Sequence, residues 1–117
     1  MSTDPGLVTF IEELRAFVAE RAWEPFHDPK NLTMLLLSEA GELGAEYRWV
    51  RNEDADAVSR TDPARARIAA EIGDVGIALC LLCDRIGLDL IEAMRSKLAR
   101  NRAKYPVELA RGRADVP

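Results

Sequence analysis

The fold is decided by two copies of one pattern, EAGELG at residues 39–44 and EIGDVG at residues 71–76. Two acids three residues apart lie on one face of a helix, because each residue turns the chain by about 100°. Each copy therefore predicts a pair of carboxylates on one side of a helix. The glycines fall roughly on the opposite side, and each costs about 0.5–1 kcal/mol in a helix interior. We interpret them as places where another helix approaches closely.

The surroundings of the second copy make its acids informative. Residues 68–83 read IAAEIGDVGIALCLLC, in which Glu71 and Asp74 are the only charged residues. A helix that is apolar on all sides belongs in an interior, where carboxylates are costly unless they are paired or bind a metal ion. A chance pair of solvated acids is the alternative, and it explains the first pair better than it explains both. The candidate metal ligands are Glu39, Glu42, Glu71 and Asp74.

Length and composition indicate one soluble domain. The chain has 117 residues, of which 31% are charged and 48% hydrophobic, and its net charge is −4. We expect a single domain over residues 1–117, with a core at about 7–106 and a loose tail at 107–117. The negative charge argues against nucleic acid as a partner. Residues 68–83 are too short and too acidic to span a membrane, and no signal peptide is visible, so we expect a cytoplasmic protein.

Three Asp-Pro pairs mark expected helix starts, because Asp caps a helix and Pro suits its first position. The pairs lie at residues 4–5, 28–29 and 62–63. Gly87 is a typical helix end, and Asp89 can cap the helix that follows. The predicted helices are at about residues 7–21, 29–49, 63–86 and 89–105. No stretch alternates like a strand. We predict an all-α four-helix bundle with antiparallel acid-bearing helices and an exposed connection at 51–61.

The fourth predicted helix has a basic end. Residues 95–104 carry five Lys or Arg residues and no acid. Within them Lys97, Asn101 and Lys104 share a helix face, because they are four and three residues apart. One interpretation is a solvated face favoured by the helix dipole. The other is a phosphate-binding edge beside a Mg²⁺ site, since substrate phosphates usually complete the shell of a carboxylate-bound Mg²⁺ ion.

These blocks together resemble a known family. E-x-x-E, then 28 residues, then E-x-x-D is similar to the motif of the MazG superfamily of all-α nucleoside triphosphate pyrophosphohydrolases. Closer similarity to its dCTP pyrophosphatase branch is carried by WEPFHDPKNL at residues 23–32, Trp49, and SKLARNRAKYP at residues 96–106. The resemblance implies a Mg²⁺-dependent attack of water on the α-phosphate of a nucleoside triphosphate. The products would be a monophosphate and pyrophosphate, in a house-cleaning role for the nucleotide pool.

The resemblance also implies roles for individual residues. Mg²⁺, with Mn²⁺ as a substitute, would be bound by Glu39, Glu42, Glu71 and Asp74, and Glu39 would orient or deprotonate the water. The phosphates would be held by Lys97, Asn101, Lys104 and Tyr105. The base would pack between two indoles, and its neighbours would be Trp23, His27 and Trp49. Ordinary packing, or a loop hydrogen bond for the histidine, is the alternative for these three. The resemblance further implies a homo-oligomer, since tetramers of paired bundles are usual in that branch.

Two positions depart from the pattern of the branch. Ala78 stands where a tyrosine near the base is usual, which leaves space for a 5-substituted cytosine, and Leu14 stands where some members have a histidine. The expected substrate is dCTP or a modified dCTP, and the alternative is dUTP or a broad range of nucleoside triphosphates. A di-iron carboxylate bundle would need E-x-x-H on two helices, and the only histidine, His27, lies outside both motifs. A non-catalytic helical assembly protein is the remaining alternative.

Overall fold

The computed structural model describes residues 5–115, which are helical without a strand in that range. The helices are α1 (Pro5–Glu20), α2 (Pro29–Tyr47), α3 (Ala55–Ser59), α4 (Ala64–Ile86), α5 (Leu90–Lys104) and α6 (Val107–Ala110). Two short 3₁₀-helices lie at Glu24–Phe26 and Asn52–Asp54. The predicted all-α class is confirmed. The first expected cap, Asp4, lies outside the described residues.

The predicted start of α2 is correct and that of α4 is not. The side chain of Asp28 accepts a 2.8 Å hydrogen bond from the backbone N–H of Asn31, so it caps α2. α4 begins at Ala64 with no side-chain cap, because Pro63 already has near-helical backbone angles and is itself the residue before the helix. Asp62 is therefore one residue too early to act as the cap.

The corner between α4 and α5 follows the prediction. Gly87 has a left-handed backbone with φ of 69°, and the N–H of Leu88 donates to the carbonyl of Cys83 at 2.9 Å. Asp89 then caps α5, since its side chain accepts a 3.0 Å hydrogen bond from the N–H of Glu92.

α2 and α4 form the centre of the fold. They pack along much of their length, and α1 and α3 contact α4 beside them. Glu46 bonds to Arg67, and Glu42 lies beside Glu71, so numbering rises along α2 as it falls along α4. The two helices are therefore antiparallel, as predicted. The buried apolar side chains of the described residues are Leu14, Val18, Leu32, Ile68, Ala78, Cys80 and Cys83.

The connection between α2 and α4 is more regular than its sequence suggests. Residues 51–61 contain a 3₁₀-helix and α3 instead of irregular backbone. The hydroxyl of Ser59 bonds both the Tyr47 hydroxyl and the carbonyl of Ala55. These bonds tie α3 to the end of α2. The start of the expected loose tail, residues 107–110, is also helical.

α5 is the least packed of the long helices. It contacts the rest of its own chain only slightly, and none of its residues is buried. The Cα radius of gyration is 17.4 Å, whereas a compact domain of this length has about 13 Å. Apolar side chains that are at least half exposed include Phe26, Met34, Leu37, Ile72, Met94, Leu98, Val107 and Leu109. The chain alone therefore leaves an unusual amount of apolar surface uncovered. In the described range, no helix combines the length and the apolar character that a bilayer crossing requires.

Candidate active site

The four predicted acids meet where α2 packs against α4. α2 supplies Glu39 and Glu42, and α4 supplies Glu71 and Asp74. One carboxylate oxygen from each of the four lies within 4.8 Å of the other three. Ligand oxygens at 2.0–2.6 Å from a single cation lie no more than about 5 Å apart, so this spacing suits one ion site. The acid pairs that the sequence places on two separate helices are thus brought together by the fold.

Two of these carboxylates have an oxygen that lacks a partner. The Oε2 atoms of Glu39 and Glu71 are inaccessible to solvent and have no hydrogen-bond partner among the described residues. Such an atom costs free energy unless a proton or a cation satisfies it. Carboxylate oxygens are also the ligands that hard divalent cations such as Mg²⁺ and Mn²⁺ prefer. The residues present therefore fit a divalent metal ion.

The cluster also disfavours its own negative charge. Burial raises the pKa of Glu39, and the adjacent carboxyl of Glu42 raises it further, followed by the charges of Asp74 and Glu71. Burial likewise raises the pKa of Glu71, with added contributions from Glu42, Asp74 and Glu46. Without a cation, Glu39 and Glu71 should hold protons more tightly than isolated glutamates do, because their pKa values are raised. A bound divalent cation would remove this penalty.

The glycines of the two motifs do not act as predicted within this chain. A Cβ atom placed on any of them would meet no atom within 4 Å, so no helix of the described residues approaches there. These positions are Gly41, Gly44, Gly73 and Gly76. The acids face the contact between the helices, and the glycines consequently face away from it. The expected close approach is wrong for the isolated chain.

An ion pair beside the acids was missed by the sequence reasoning. Nε of Arg67 on α4 donates a 3.0 Å hydrogen bond to Oε1 of Glu46 on α2. Glu46 follows Glu42 by four residues, and Arg67 precedes Glu71 by four, so the pair lies one helical turn from the cluster. The spacing of four places each residue beside the acids, but it does not indicate that they pair with each other, and both lie outside the repeated motif.

Comparison with known proteins decides the family. No model of a known protein family matches the chain. dCTP pyrophosphatase 1 from Bos taurus is 37% identical over 113 residues, which cover 97% of this chain and 67% of that protein. The Mus musculus protein of the same name is 41% identical over 113 residues, covering 97% and 66%. A crystal structure of a pyrophosphatase from Archaeoglobus fulgidus matches with a TM-score of 0.79 and 31% identity, over 91% of this chain and 97% of that one.

The chain belongs to the dCTP pyrophosphatase family. The resemblance given by the acid motifs and the flanking blocks is thereby confirmed. This family member spans about two thirds of the length of the mammalian relatives it matches. The family fold also agrees with the observed helices, since the match to the archaeal pyrophosphatase covers nearly all of both chains.

The phosphate-side candidates of this pyrophosphatase lie in the C-terminal half of α5 and at its cap. They are Lys97, Asn101 and Lys104 in the helix and Tyr105 at its C-terminal cap. Nζ of Lys104 lies 5.4 Å from the centre of the Tyr105 ring. Since α5 contacts the other helices only slightly, this face is not packed against the acid cluster of its own chain. Its role as a phosphate site stays a prediction.

The base-side candidates of this pyrophosphatase lie at opposite ends of α2. The Trp23 ring packs edge-on against Phe17 and His27, with centroid distances of 5.7 and 6.5 Å, just before the helix begins. Trp49 follows the helix and is 87% exposed. A helix of 19 residues is about 28 Å long. One chain therefore cannot pack a base between its two indoles, because α2 keeps them apart.

The two positions that depart from the family pattern are both in the core. Ala78 is completely buried, and Leu14 is 8% exposed. Solvent cannot reach Ala78, so the expected space beside it for a substituent on the base is not open at the surface of this chain. The departures therefore act first on packing.

Proposed function

We propose that the chain is a Mg²⁺-dependent nucleoside triphosphate pyrophosphohydrolase that acts on dCTP or a modified dCTP. The reaction adds water to the α-phosphate and gives the monophosphate and pyrophosphate. The observation that carries the proposal is the four-carboxylate cluster with two unpartnered oxygens. The substrate is supported by relatives named dCTP pyrophosphatase 1, which are 37–41% identical across nearly the whole chain. Removal of unwanted nucleotides in the cytoplasm is the role that fits this reaction.

The chain's acids would hold the cation and direct the water. Glu39, Glu42, Glu71 and Asp74 would bind Mg²⁺, which when bound supplies charge that activates water and the α-phosphoryl group. Among the four, Glu39 would orient the water or accept its proton.

The basic face of α5 would bind the leaving group. Negative charge grows on the pyrophosphate as the bond between the α- and β-phosphorus atoms breaks, and positioned cations and amides stabilise it. Lys97, Asn101 and Lys104 carry such groups, and Tyr105 follows them. Trp23, His27 and Trp49 would contact the base. Stacking on indoles would hold it, with hydrogen bonds at its edge for selection.

A homo-oligomer, with a tetramer as the proposed state, would complete this site. The support comes from the exposed apolar side chains and from the expanded radius of gyration of 17.4 Å. A second copy would also remove two problems of the single chain. It could bring an α5 face to the acid cluster, and it could place a second indole beside a base already packed on the first.

A nucleotide panel tests the proposed reaction. The protein is incubated with Mg²⁺ and dCTP, 5-methyl-dCTP, dUTP, dTTP, dATP or dGTP, and the products are separated. We expect monophosphate and pyrophosphate in equal amounts, with the cytosine nucleotides turned over fastest. In ¹⁸O-labelled water the label should enter the monophosphate. Orthophosphate as the first product, or label in pyrophosphate alone, would contradict the reaction, and tight binding without turnover would favour a non-catalytic assembly protein.

A further inference from the structure

The Arg67 side chain has two glutamates within its range. On α4, Arg67 precedes Glu71 by four residues, and side chains at this spacing are neighbours on a helix face. The structure instead pairs Arg67 with Glu46 of α2, at 3.0 Å between Nε and Oε1. The side chain of Glu46 is 21% exposed and that of Arg67 is 57% exposed. The guanidinium is thus held across the helix contact while much of it remains in solvent.

The consequence for Glu71 is that the Arg67 guanidinium does not occupy its carboxylate. Its Oε2 atom is buried and has no hydrogen-bond partner within residues 5–115. A guanidinium forms strong, often bidentate, bonds to a carboxylate. If Arg67 moved onto Glu71, it would occupy the oxygens that a cation needs.

We propose that Glu46 is a positioning residue that holds the Arg67 guanidinium away from Glu71 and so keeps Glu71 available to a divalent cation. The inference rests on the proposed function, because it requires the cation site at the four acids. Glu46 itself lies one helical turn beyond Glu42 and is not among those four. It would act on cation binding through Arg67 and not as a ligand.

Titration of the metal-free protein with Mn²⁺ tests this role, with the free ion measured by electron paramagnetic resonance. Glu46→Gln should weaken Mn²⁺ binding by about tenfold, the loss typical of residues that support a metal ligand, because it releases Arg67 onto Glu71. Arg67→Gln alone should change the Kd by less than about twofold, since Arg67 is already held away. The double variant should return to within about twofold of wild type, so the two effects are not additive.

Other roles for Glu46 give different patterns. A simple effect of charge makes Arg67→Gln tighten binding as much as Glu46→Gln weakens it, and additive shifts of this kind would overturn the proposal. A simple brace between helices leaves the double variant as weak as Glu46→Gln, which would also overturn it. Melting temperatures without metal show whether each variant is folded.

A matched control cuts another ion pair between helices. Arg15 on α1 donates to both carboxylate oxygens of Asp84 on α4, and Asp84 lies about 15 Å along the helix from Asp74. Asp84→Asn should leave the Mn²⁺ Kd unchanged. If wild-type protein binds no Mn²⁺, the proposed metal site fails and this inference with it. If wild type and Glu46→Gln bind Mn²⁺ equally, the inference alone is wrong.

Discussion

The carboxyl groups of Glu42 and Glu71 lie beside each other across the α2–α4 contact, with an oxygen of each no more than 4.8 Å apart. Burial raises the pKa of Glu71, and the negative charge of Glu42 raises it further. Each helix thus makes the charged form of the other less favourable. The central helix contact of the fold therefore contains carboxylates that repel one another, and a bound divalent cation would relieve that repulsion.

Neutral variants of the acids should separate activity from stability. Glu42→Gln and Asp74→Asn are nearly isosteric, but each removes a charge that a hard cation needs. We expect kcat to fall by more than about a hundredfold, beyond the 10–100-fold that supporting residues cost. The melting temperature without metal should stay equal or rise, because repulsion in the cluster is lowered. Glu108→Gln, at an exposed position, is the control for a lost charge. Near wild-type turnover with saturating Mg²⁺ and substrate would contradict the metal assignment.

The raised pKa of Glu39 predicts a specific dependence on pH. A glutamate whose pKa is raised in the folded state stabilises the protein when the pH is below its pKa in the unfolded state, about 4.3. This stabilisation is lost as the pH rises through the folded-state pKa. Burial and Glu42 raise the pKa of Glu39, so deprotonation should lower the stability of the metal-free protein. Glu39→Gln avoids this loss. Its melting temperature should exceed that of wild type by more at about pH 8 than at about pH 5.

Added Mg²⁺ provides the control for this pH effect. A ligand that binds only the folded state raises the stability of the protein. Mg²⁺ would be such a ligand, and it would bind the carboxylates in their charged form. Mg²⁺ should therefore raise the wild-type melting temperature most at high pH and raise that of Glu39→Gln less. A difference between the two proteins that does not change with pH would show that Glu39 titrates like an ordinary surface glutamate.

The acid cluster could be predicted from the sequence because its information is local. The spacing of three puts Glu39 and Glu42 on one helix face, and the apolar sequence around Glu71 and Asp74 predicts a partner for their charge. In the folded chain Glu71 is half-buried and Asp74 is exposed. Two such faces can share one cation only if their helices are neighbours. The start of α2 could be predicted for the same reason, since Asp28 accepts a hydrogen bond from an amide only three residues further along the chain.

Other features depend on relations that spacing does not encode. Because Gly41 and Gly76 lower helix stability, the sequence indicates that another helix approaches them. It does not indicate whether that helix belongs to the same chain. The separation of Trp23 from Trp49 follows from the length of α2. The family resemblance placed both indoles near the base without considering that length. The Glu46–Arg67 ion pair could not be predicted from spacing. The spacing of four predicts that Arg67 pairs with Glu71, whereas in the structure Arg67 pairs with Glu46.

The oligomer can be tested on the surface that the chain leaves uncovered. Light scattering at micromolar concentration should give a mass of several chains, with four as the expected number. Leu98 on α5 is 50% exposed, and Leu37 on α2 is 62% exposed. Replacing both by Lys should shift the mass towards the monomer, because burial of a charge at an apolar interface is costly. Arg100→Lys, on the exposed part of α5, preserves the charge and should leave the mass unchanged. A monomeric wild-type protein would contradict the oligomer.

The last prediction concerns the base and the exposed indole of Trp49. Stacking on an aromatic face is worth about 1–3 kcal/mol per base and holds the ground state and the transition state alike. Trp49→Ala should therefore raise KM for dCTP by about tenfold while kcat changes little, and Trp49→Phe should recover much of the loss because it keeps a π-face. Stacking hardly distinguishes one base from another, so base selection should come from hydrogen bonds at the base edge. A purine would leave those groups unpaired, and dATP and dGTP should therefore stay at least about tenfold below dCTP in kcat/KM. A fall in kcat with KM unchanged would remove Trp49 from the base site, and equal turnover of dATP and dCTP would make the chain a general nucleoside triphosphate pyrophosphohydrolase.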